Sequence, residues 1–333
     1  MPLNKGFVLA SRPQGAATEH NFRFFERDIG EPGPGEVLVR NHWLSLDPYM
    51  RGRMDESRSY AASQALNEPM IGGTAGEVVA SNSPDFKAGD KVVSGNGGWQ
   101  LYSIQKPALL RKVDDSKVPL QAFVGPLGMP GVTAWVGINR LIQPKAGETV
   151  VCSAATGAVG TVVGQIAKAK GARTVGIAGG IEKCAFAVEE LGYDLCVDHK
   201  AADFAQQLAA ATPNGVDGLF ENVGGQPFAL TMARMNDFGR IAICGLIASY
   251  EGAETTSLND MRIMLMRRLT MRGFIVSDFL PDWPAALGEL IGLASTGKLK
   301  WRETVAHGVE SAPSAFLGML KGRNFGKQLV KLT

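Results

Sequence analysis

The chain has 333 residues, 45% of them hydrophobic and 20% charged, with a net charge of +2. That length allows two ordinary domains whose cores need no disulfide staples. The near-neutral balance gives no reason to expect nucleic acid or a membrane surface as a partner. No run is long and apolar enough to span a bilayer, and Met1-Pro2-Leu3-Asn4-Lys5 leads into no apolar signal core. Cys152, Cys184, Cys196 and Cys244 lie far apart without a C-x-x-C pair. Free thiols in a reducing cytoplasm are the expectation.

Residues 1 to about 125 read as short strands punctuated by Gly and Pro. Glu36 to Leu46 follows the turn-rich stretch 30–35; Gly76 to Ser81, Asp90 to Ser94 and Trp99 to Ile104 come next. Such spacing predicts a small β-barrel or sandwich. From about 145 the pattern changes to alternating strand and helix, with six strand-like runs at 149–154, 173–178, 195–198, 216–223, 240–246 and 270–276. After the first run, Val159, Val162, Val163, Ile166 and Ala167 form the i, i+3, i+4, i+7 stripe of a buried helix face. Leu191-Gly192 is a helix stop. This alternation predicts an α/β Rossmann domain built on a six-stranded parallel sheet.

The run 149–154 leads into Ala155-Thr156-Gly157-Ala158-Val159-Gly160, an A-x-G-x-x-G sequence between strand and helix. Gly157 lets backbone approach a pyrophosphate, Gly160 lets the helix lie close to the strand, and the first helical turn offers N–H groups to the anion. The second strand, Thr174 to Ala178, ends in Gly179-Gly180 without the Asp or Glu that bonds the ribose 2′-hydroxyl of NAD. Lys183 follows, placed to pair with a 2′-phosphate. NADP(H) is therefore the expected cofactor.

His20, His42, His199 and His307 show no metal-ligand spacing to one another or to a Cys, and the strand-rich stretch 1–125 has no cysteine. No metal is expected. No G-x-S-x-G elbow is present, so a serine hydrolase is unsupported. Hydride transfer without a metal leaves hydroxyl groups, backbone N–H groups and the cofactor's ribose to polarise a carbonyl and supply a proton. Tyr102 and Tyr193 read as packing residues. Tyr49, Tyr60 and Tyr250 lie in turn-like segments, where binding residues concentrate; each has an equal claim as a packing aromatic.

Several segments together resemble the medium-chain dehydrogenase/reductase superfamily. They are Leu44-Ser45-Leu46-Asp47-Pro48-Tyr49-Met50-Arg51, Gly128-Met129-Pro130-Gly131-Val132-Thr133-Ala134, the fingerprint with Gly164-Gln165-Ile166-Ala167, Glu221-Asn222-Val223-Gly224-Gly225, Gly239 to Gly245, and Gly273-Phe274-Ile275-Val276. Within it the chain is most similar to the zinc-free branch of leukotriene B4 12-hydroxydehydrogenase/prostaglandin reductases, plant double-bond reductases and bacterial curcumin reductases. The resemblance implies a GroES-like β-rich catalytic domain over 1–126, completed by about 305–333, and a Rossmann NADP-binding domain over 127–304. It also implies a homodimer; separately, the basic run Arg262, Arg267, Arg268 and Arg272 reads as a solvated face or a subunit contact.

The same resemblance places Thr133, Gly157, Ala158, Val159, Gly160, Lys183, Asn222, Cys244, Gly245, Leu246, Ile247, Tyr250, Phe274, Ile275, Val276 and Asn324 at cofactor-binding positions. Asn222 and Asn324 keep an alternative as turn residues. Two departures stand out. His199, in Asp198-His199-Lys200, replaces a family tyrosine near the ribose phosphate, so its contribution there should depend on pH. Met266 occupies the position of a tyrosine proposed as catalytic in the mammalian branch. Met donates no proton, which leaves Tyr250, Tyr60 and Tyr49, in that order.

The implied reaction is NADPH-dependent reduction of the C=C bond of an α,β-unsaturated ketone or aldehyde, with hydride added to the β-carbon. An NADPH:quinone oxidoreductase, or a non-catalytic NADPH-binding protein, is the alternative. Substrate size should depend on loops near 50–70 and 248–262.

Overall fold

The computed structural model describes residues 3–56, 59–250, 256–257 and 261–333. Strands β1 (Leu3–Leu9) and β2 (Phe22–Asp28) pair antiparallel as a small sheet. Next come β3 (Val37–Ser45), the short helix α1 (Tyr49–Arg53), β4 (Thr74–Ser81), β5 (Lys91–Ser94), β6 (Tyr102–Gln105) and β7 (Leu110–Lys112). Val37, Val39, Val78 and Val92 bury one patch of this sheet. Strands β1, β2 and β7 escape the sequence reading because Phe22–Asp28 mixes aromatic and charged residues without clean alternation and Leu110–Lys112 is only three residues long.

The chain then enters α2 (Met129–Val136) and a sheet made of β8 (Thr149–Ser153), β9 (Arg173–Ala178), β10 (Leu195–Asp198), β11 (Val216–Glu221), β12 (Met235–Ile243) and β13 (Thr270–Gly273). Crossovers run through α3 (Gly160–Ala169), α4 (Ile181–Glu189), α5 (Phe204–Ala211), α6 (Gly225–Met232) and α7 (Arg262–Met266), and α8 (Trp283–Ser295) follows. All neighbours are parallel, in the order β10-β9-β8-β11-β12-β13. Every residue of β8 is buried, as a central parallel strand requires. In α3 Val162, Val163, Ile166 and Ala167 of the expected stripe are buried, while Val159 stands outside the helix as its N-cap and is half-buried.

Four predicted strand ends are corrected. The run 149–154 stops at Ser153 because Ala154 takes a φ of +50°, outside the β region. The run 216–223 stops at Glu221 because the next backbone N–H groups turn back to the side chains of Ser153 and Glu221. The run 270–276 stops at Gly273, ahead of a 3-10 turn over Val276–Asp282 that contains Pro281. The run 240–246 stops at Ile243, where the Cys244 and Gly245 N–H groups both turn to the Glu221 carbonyl, and its strand β12 begins at Met235 rather than 240, crossing Phe238 with a φ of +61°.

Finally β14 (Glu303–His307), α9 (Ala312–Leu320) and β15 (Lys327–Lys331) rejoin the first sheet, where β15 pairs antiparallel with β3 at Leu329 and Ser45. The larger N-terminal sheet is seven-stranded, in the order β14-β15-β3-β4-β5-β7, with β6 beside β3. Phe316 of α9 packs edge-on against Trp99, which stacks on Phe22 with centroids 5.1 Å apart. The chain thus forms two units, Met1–Gly128 with Glu303–Thr333, and Met129–Arg302. They correspond to a GroES-like domain and a Rossmann domain. Among the described residues no helix is long and apolar enough to cross a membrane.

Candidate functional site

The glycine fingerprint is a turn that only small residues permit. Ala155, in the first glycine's place, is fully buried and its N–H donates to the Ile177 carbonyl at 3.0 Å. A Cβ on Gly157 would lie 3.1 Å from the Ala154 carbonyl oxygen; one on Gly160 would overlap that oxygen and sit 2.8 Å from Ala155 Cα. Gly157 N–H closes the turn on Ala154 O at 2.8 Å. Val159 caps α3, whose first turn is tied back to the fingerprint: Thr161 N–H donates to Gly157 O at 3.0 Å, and Val162 and Val163 N–H donate to Val159 O at 3.0 and 3.1 Å. Ala158 and Val159 lie between the two glycines at this end. A pyrophosphate fits such a cradle on shape and on dipole.

One strand over, the ends of β9 and β10 bring cationic groups together. A Cβ on Gly179 would lie 2.9 Å from His199 Nε2 and 3.1 Å from Lys200 Cε. Asp198 accepts from the N–H groups of Gly180 (2.8 Å) and Lys200 (2.9 Å), which fixes the turn. Burial, reinforced by the Lys200 ammonium, lowers Lys183 from its ordinary value. Burial also lowers His199, against the pull of Asp198 and with Lys200 and Lys183 adding to the effect. Two lysines held near one another, Lys183 half-buried and Lys200 exposed, form a place where a phosphate dianion lowers the energy. Lys183 and His199 were expected here. Lys200 was not singled out, although it stands in the segment Asp198-His199-Lys200; only the fold shows that its side chain shares the space over Gly179.

The third part of the site is built on β11 and β12. Glu221 is 0% exposed at the end of β11. Its Oε1 accepts from Ser153 Oγ (2.7 Å), Val223 N–H (2.6 Å) and Gly224 N–H (2.8 Å). Its Oε2 is buried with no hydrogen-bond partner among the described residues. Burial raises the Glu221 carboxyl, although these donors oppose the shift. Asn222 donates its N–H to Ser153 Oγ and its Nδ2 to the Ser153 carbonyl, both at 2.8 Å. Cys244 and Gly245 N–H groups reach Glu221 O at 2.8 and 3.2 Å, and Ile247 N–H reaches Asn222 O at 3.2 Å. The stretch of Cys244, Gly245, Leu246 and Ile247 therefore runs beside residues 221–223. Burial pushes the Cys244 thiol up to about 12. Sequence reading quoted Glu221 only within a matching segment; nothing local signals a buried carboxylate.

The remaining expected residues fall as follows. Thr133 is buried in α2, its hydroxyl donating to Met129 O at 2.7 Å. Phe274 is buried, its ring edge-on to Phe220 and Phe279 at 6.2 Å from each, so the side chain belongs to the core. Ile275 and Val276 follow it into the 3-10 turn. Asn324 Nδ2 donates to Gly326 O at 2.7 Å, as a turn residue before β15 does.

Tyr250 closes a 3-10 turn over Ile247–Ser249, and a Cβ on Gly245 would lie 3.4 Å from its hydroxyl. Burial raises its pKa, which keeps it a proton donor at neutral pH. Tyr49 opens α1 and burial raises it too, with Asp47 adding to the effect. Tyr60 is 61% exposed and near enough to bear on Tyr49. Met266 ends α7 and is exposed. Of the loops near 50–70 and 248–262, residues 57, 58, 251–255 and 258–260 lie outside the described residues. Among the described residues no group of three or more His, Cys, Asp or Glu is placed to hold a metal ion.

Comparison with known proteins agrees with this layout. Residues 5–113 match the family described as the N-terminal domain of oxidoreductase, and 158–292 match that described as zinc-binding dehydrogenase. The chain is 45% identical to the NADPH-dependent curcumin reductase of Escherichia coli K12, covering 99% of this chain and 97% of that protein. It is 41% identical to the 2-alkenal reductase (NADP(+)-dependent) of Nicotiana tabacum, covering 90% and 88%. The crystal structure of CurA from Vibrio vulnificus in complex with NADPH superposes with a TM-score of 0.94 at 44% identity, covering 99% of each chain.

Proposed function

The chain belongs to the zinc-free branch of the medium-chain dehydrogenases/reductases that holds the curcumin, 2-alkenal and prostaglandin reductases, and from that premise we propose that it is an NADPH-dependent enzyme reducing the C=C bond of α,β-unsaturated ketones or aldehydes. The observation that carries the cofactor is the pairing of Lys200 with His199 over Gly179, with the Lys183 ammonium close enough to bear on both, beside a glycine cradle and without a carboxylate at the end of β9. Near full-length similarity to enone and enal reductases carries the reaction.

When bound, NADPH supplies the hydride that adds to the β-carbon of the conjugated substrate. The chain's residues hold and polarise. Gly157, Ala158, Val159 and Gly160 receive the pyrophosphate; Lys183, with His199, receives the 2′-phosphate. Thr133, Asn222, Cys244, Gly245, Leu246, Ile247, Phe274, Ile275, Val276 and Asn324 complete the binding surface, Phe274 through its backbone. A tyrosine hydroxyl donates to the substrate carbonyl oxygen, where negative charge gathers as the β-carbon is attacked. Tyr250 is the first choice for that donor, then Tyr60 and Tyr49, and the raised pKa of Tyr250 keeps its proton in place. The α-carbon takes its proton from the same hydroxyl or from solvent.

On this reading residues 1–126 with about 305–333 form the catalytic domain and 127–304 the cofactor domain, which the division into two units supports. A homodimer is supported by β13, an edge strand of the parallel sheet, with Phe238, Leu265 and Met266 exposed on β12 and α7. Four free thiols favour the cytoplasm.

The test is NADPH oxidation by the purified protein with a medium-chain 2-alkenal, a bulky dienone and a benzoquinone, and NADH as control. Turnover of the alkenal or dienone with NADPH and little with NADH is expected. Turnover of the quinone alone moves the protein to a quinone reductase, and NADPH binding without any turnover makes it a binding protein.

A further inference from the structure

The parallel sheet reverses direction beside β8. From there the chain steps outward through β9 and β10, then returns to β11 on the other side and continues through β12 and β13. The carboxyl ends of strands at such a reversal form the crevice in which α/β sheets bind ligands. Ser153 is the last residue of β8 and Glu221 the last of β11, and the two strands are paired up to Cys152 and Phe220.

We propose that Glu221 is a positioning residue for the dinucleotide: its carboxyl ties β8 to the turn after β11 across the sheet reversal and so sets the surface on which the cofactor lies. This rests on reading the Met129–Arg302 unit as the NADPH site. One oxygen carries the whole task. Oε1 takes Ser153 Oγ and the N–H groups of Val223 and Gly224, while Ser153 Oγ in turn takes the Asn222 N–H. The turn fixed in this way supports a second segment, since Ile247 and Ala248 N–H groups bond to the carbonyls of Asn222 and Val223. Two loops assigned to the cofactor thus depend on a carboxyl that need not touch it.

The other oxygen gives the inference its sharpest consequence. Oε2 is sealed from solvent with no donor among the described residues. A buried oxygen left this way is costly, most of all when it carries charge. Burial raises the carboxyl's pKa, opposed by the donors on Oε1. Glutamine keeps the side-chain length and the accepting oxygen, so the bonds from Ser153, Val223 and Gly224 survive the substitution. Aspartate keeps the charge but is one methylene too short to reach the N–H groups of Val223 and Gly224.

The experiment measures the Kd of NADPH for full-length wild type, Glu221→Gln, Glu221→Asp and Ser153→Ala by calorimetry. Denaturant unfolding is run in parallel, with kcat and the enone KM taken at saturating NADPH. Glu221→Gln should bind within about threefold of wild type. Glu221→Asp should bind about tenfold more weakly, the equivalent of one strong hydrogen bond. In Glu221→Asp, kcat at saturating NADPH should fall severalfold alongside the affinity, because the turn that Glu221 supports also carries Tyr250. Ser153→Ala removes one strut only and should weaken binding by about threefold to fivefold. Wild-type affinity in both Glu221→Asp and Ser153→Ala overturns the proposal, as does a Glu221→Gln as weak as Glu221→Asp. If Glu221→Asp does not fold, the Gln and Ala variants decide alone. Wild type that binds no NADPH overturns the cofactor reading and this inference together. Binding without turnover removes only the proposed reaction.

Discussion

The hydroxyl of Tyr193 donates to the carbonyl of Gly160 at 2.7 Å, while its ring fills the space that a Cβ on Gly164 would occupy. The tyrosine is 1% exposed in the turn before β10, yet it pins the first turn of α3, where the fingerprint ends. Tyr193→Phe removes this bond and leaves a buried carbonyl less satisfied. It should lower stability by about 1–2 kcal/mol in urea unfolding. Gly164→Ala forces ring and helix apart and should cost about 1–3 kcal/mol in the same measurement.

Lys183 and Lys200 predict the choice between cofactors. Each charge-assisted contact to a 2′-phosphate is worth about 1.5–3 kcal/mol, tenfold or more in affinity. Lys183→Ala and Lys200→Ala should each raise the Kd of NADPH by about tenfold and leave that of NADH nearly unchanged. Titration of both dinucleotides against each variant checks this; an equal loss for NADH would assign the lysines to general packing.

His199 makes the affinity depend on pH. Its pKa is held below the ordinary 6.5, first by burial, so the free protein carries it neutral at pH 7. A bound dianion favours the imidazolium and raises that pKa. Affinity for NADPH should therefore increase as pH falls from 8 towards 6, while the ring gains its proton in the complex before it does in the free protein. The 2′-phosphate itself takes a proton near pH 6 and opposes the trend. That term is common to wild type and His199→Gln, so the ratio of their Kd values isolates the histidine. The ratio should move in favour of wild type on acidification.

Lys327 and Asp47 form a buried ion pair at 2.8 Å, with side chains 3% and 7% exposed. Lys327 also donates to Leu46 O at 2.6 Å, and Ser45 Oγ donates to Asp47. The pair joins the returning strand β15 to the segment that carries Tyr49. Removing one partner strands the other charge, so Lys327→Met should cost about 3–5 kcal/mol. Lys327→Met with Asp47→Leu should recover part of that loss, as urea unfolding of both variants will show.

If Tyr250 is the donor to the substrate oxygen, Tyr250→Phe should lower kcat by about 10²–10³-fold with little change in the Kd of NADPH. Steady-state kinetics with an alkenal, run beside Tyr60→Phe and Tyr49→Phe, identify which hydroxyl carries that role.

Much of the fold is local in origin and so was legible. Alternating strands and helices, the buried stripe of α3 and the glycine turn at 157–160 each depend on residues within one turn or one strand. The missing acid at the end of β9 and the lysine at 183 are also local signals, because the ribose lies against one strand end. Family resemblance added the return of the C-terminus, which no periodicity contains. Phe316 reaches Trp99 and Leu329 pairs with Ser45 across hundreds of residues.

By itself, then, the sequence determined the class of fold, the dinucleotide turn and the preference for a 2′-phosphate, because each follows from backbone conformation or charge at adjacent positions. Only the tertiary structure decided where burial falls. It put Lys200 beside His199 over Gly179, sealed Glu221 against Ser153, and set Phe274 into the core. Those outcomes depend on which strands become neighbours, and a side chain's solvation and partners are properties of the packed sheet rather than of its own segment.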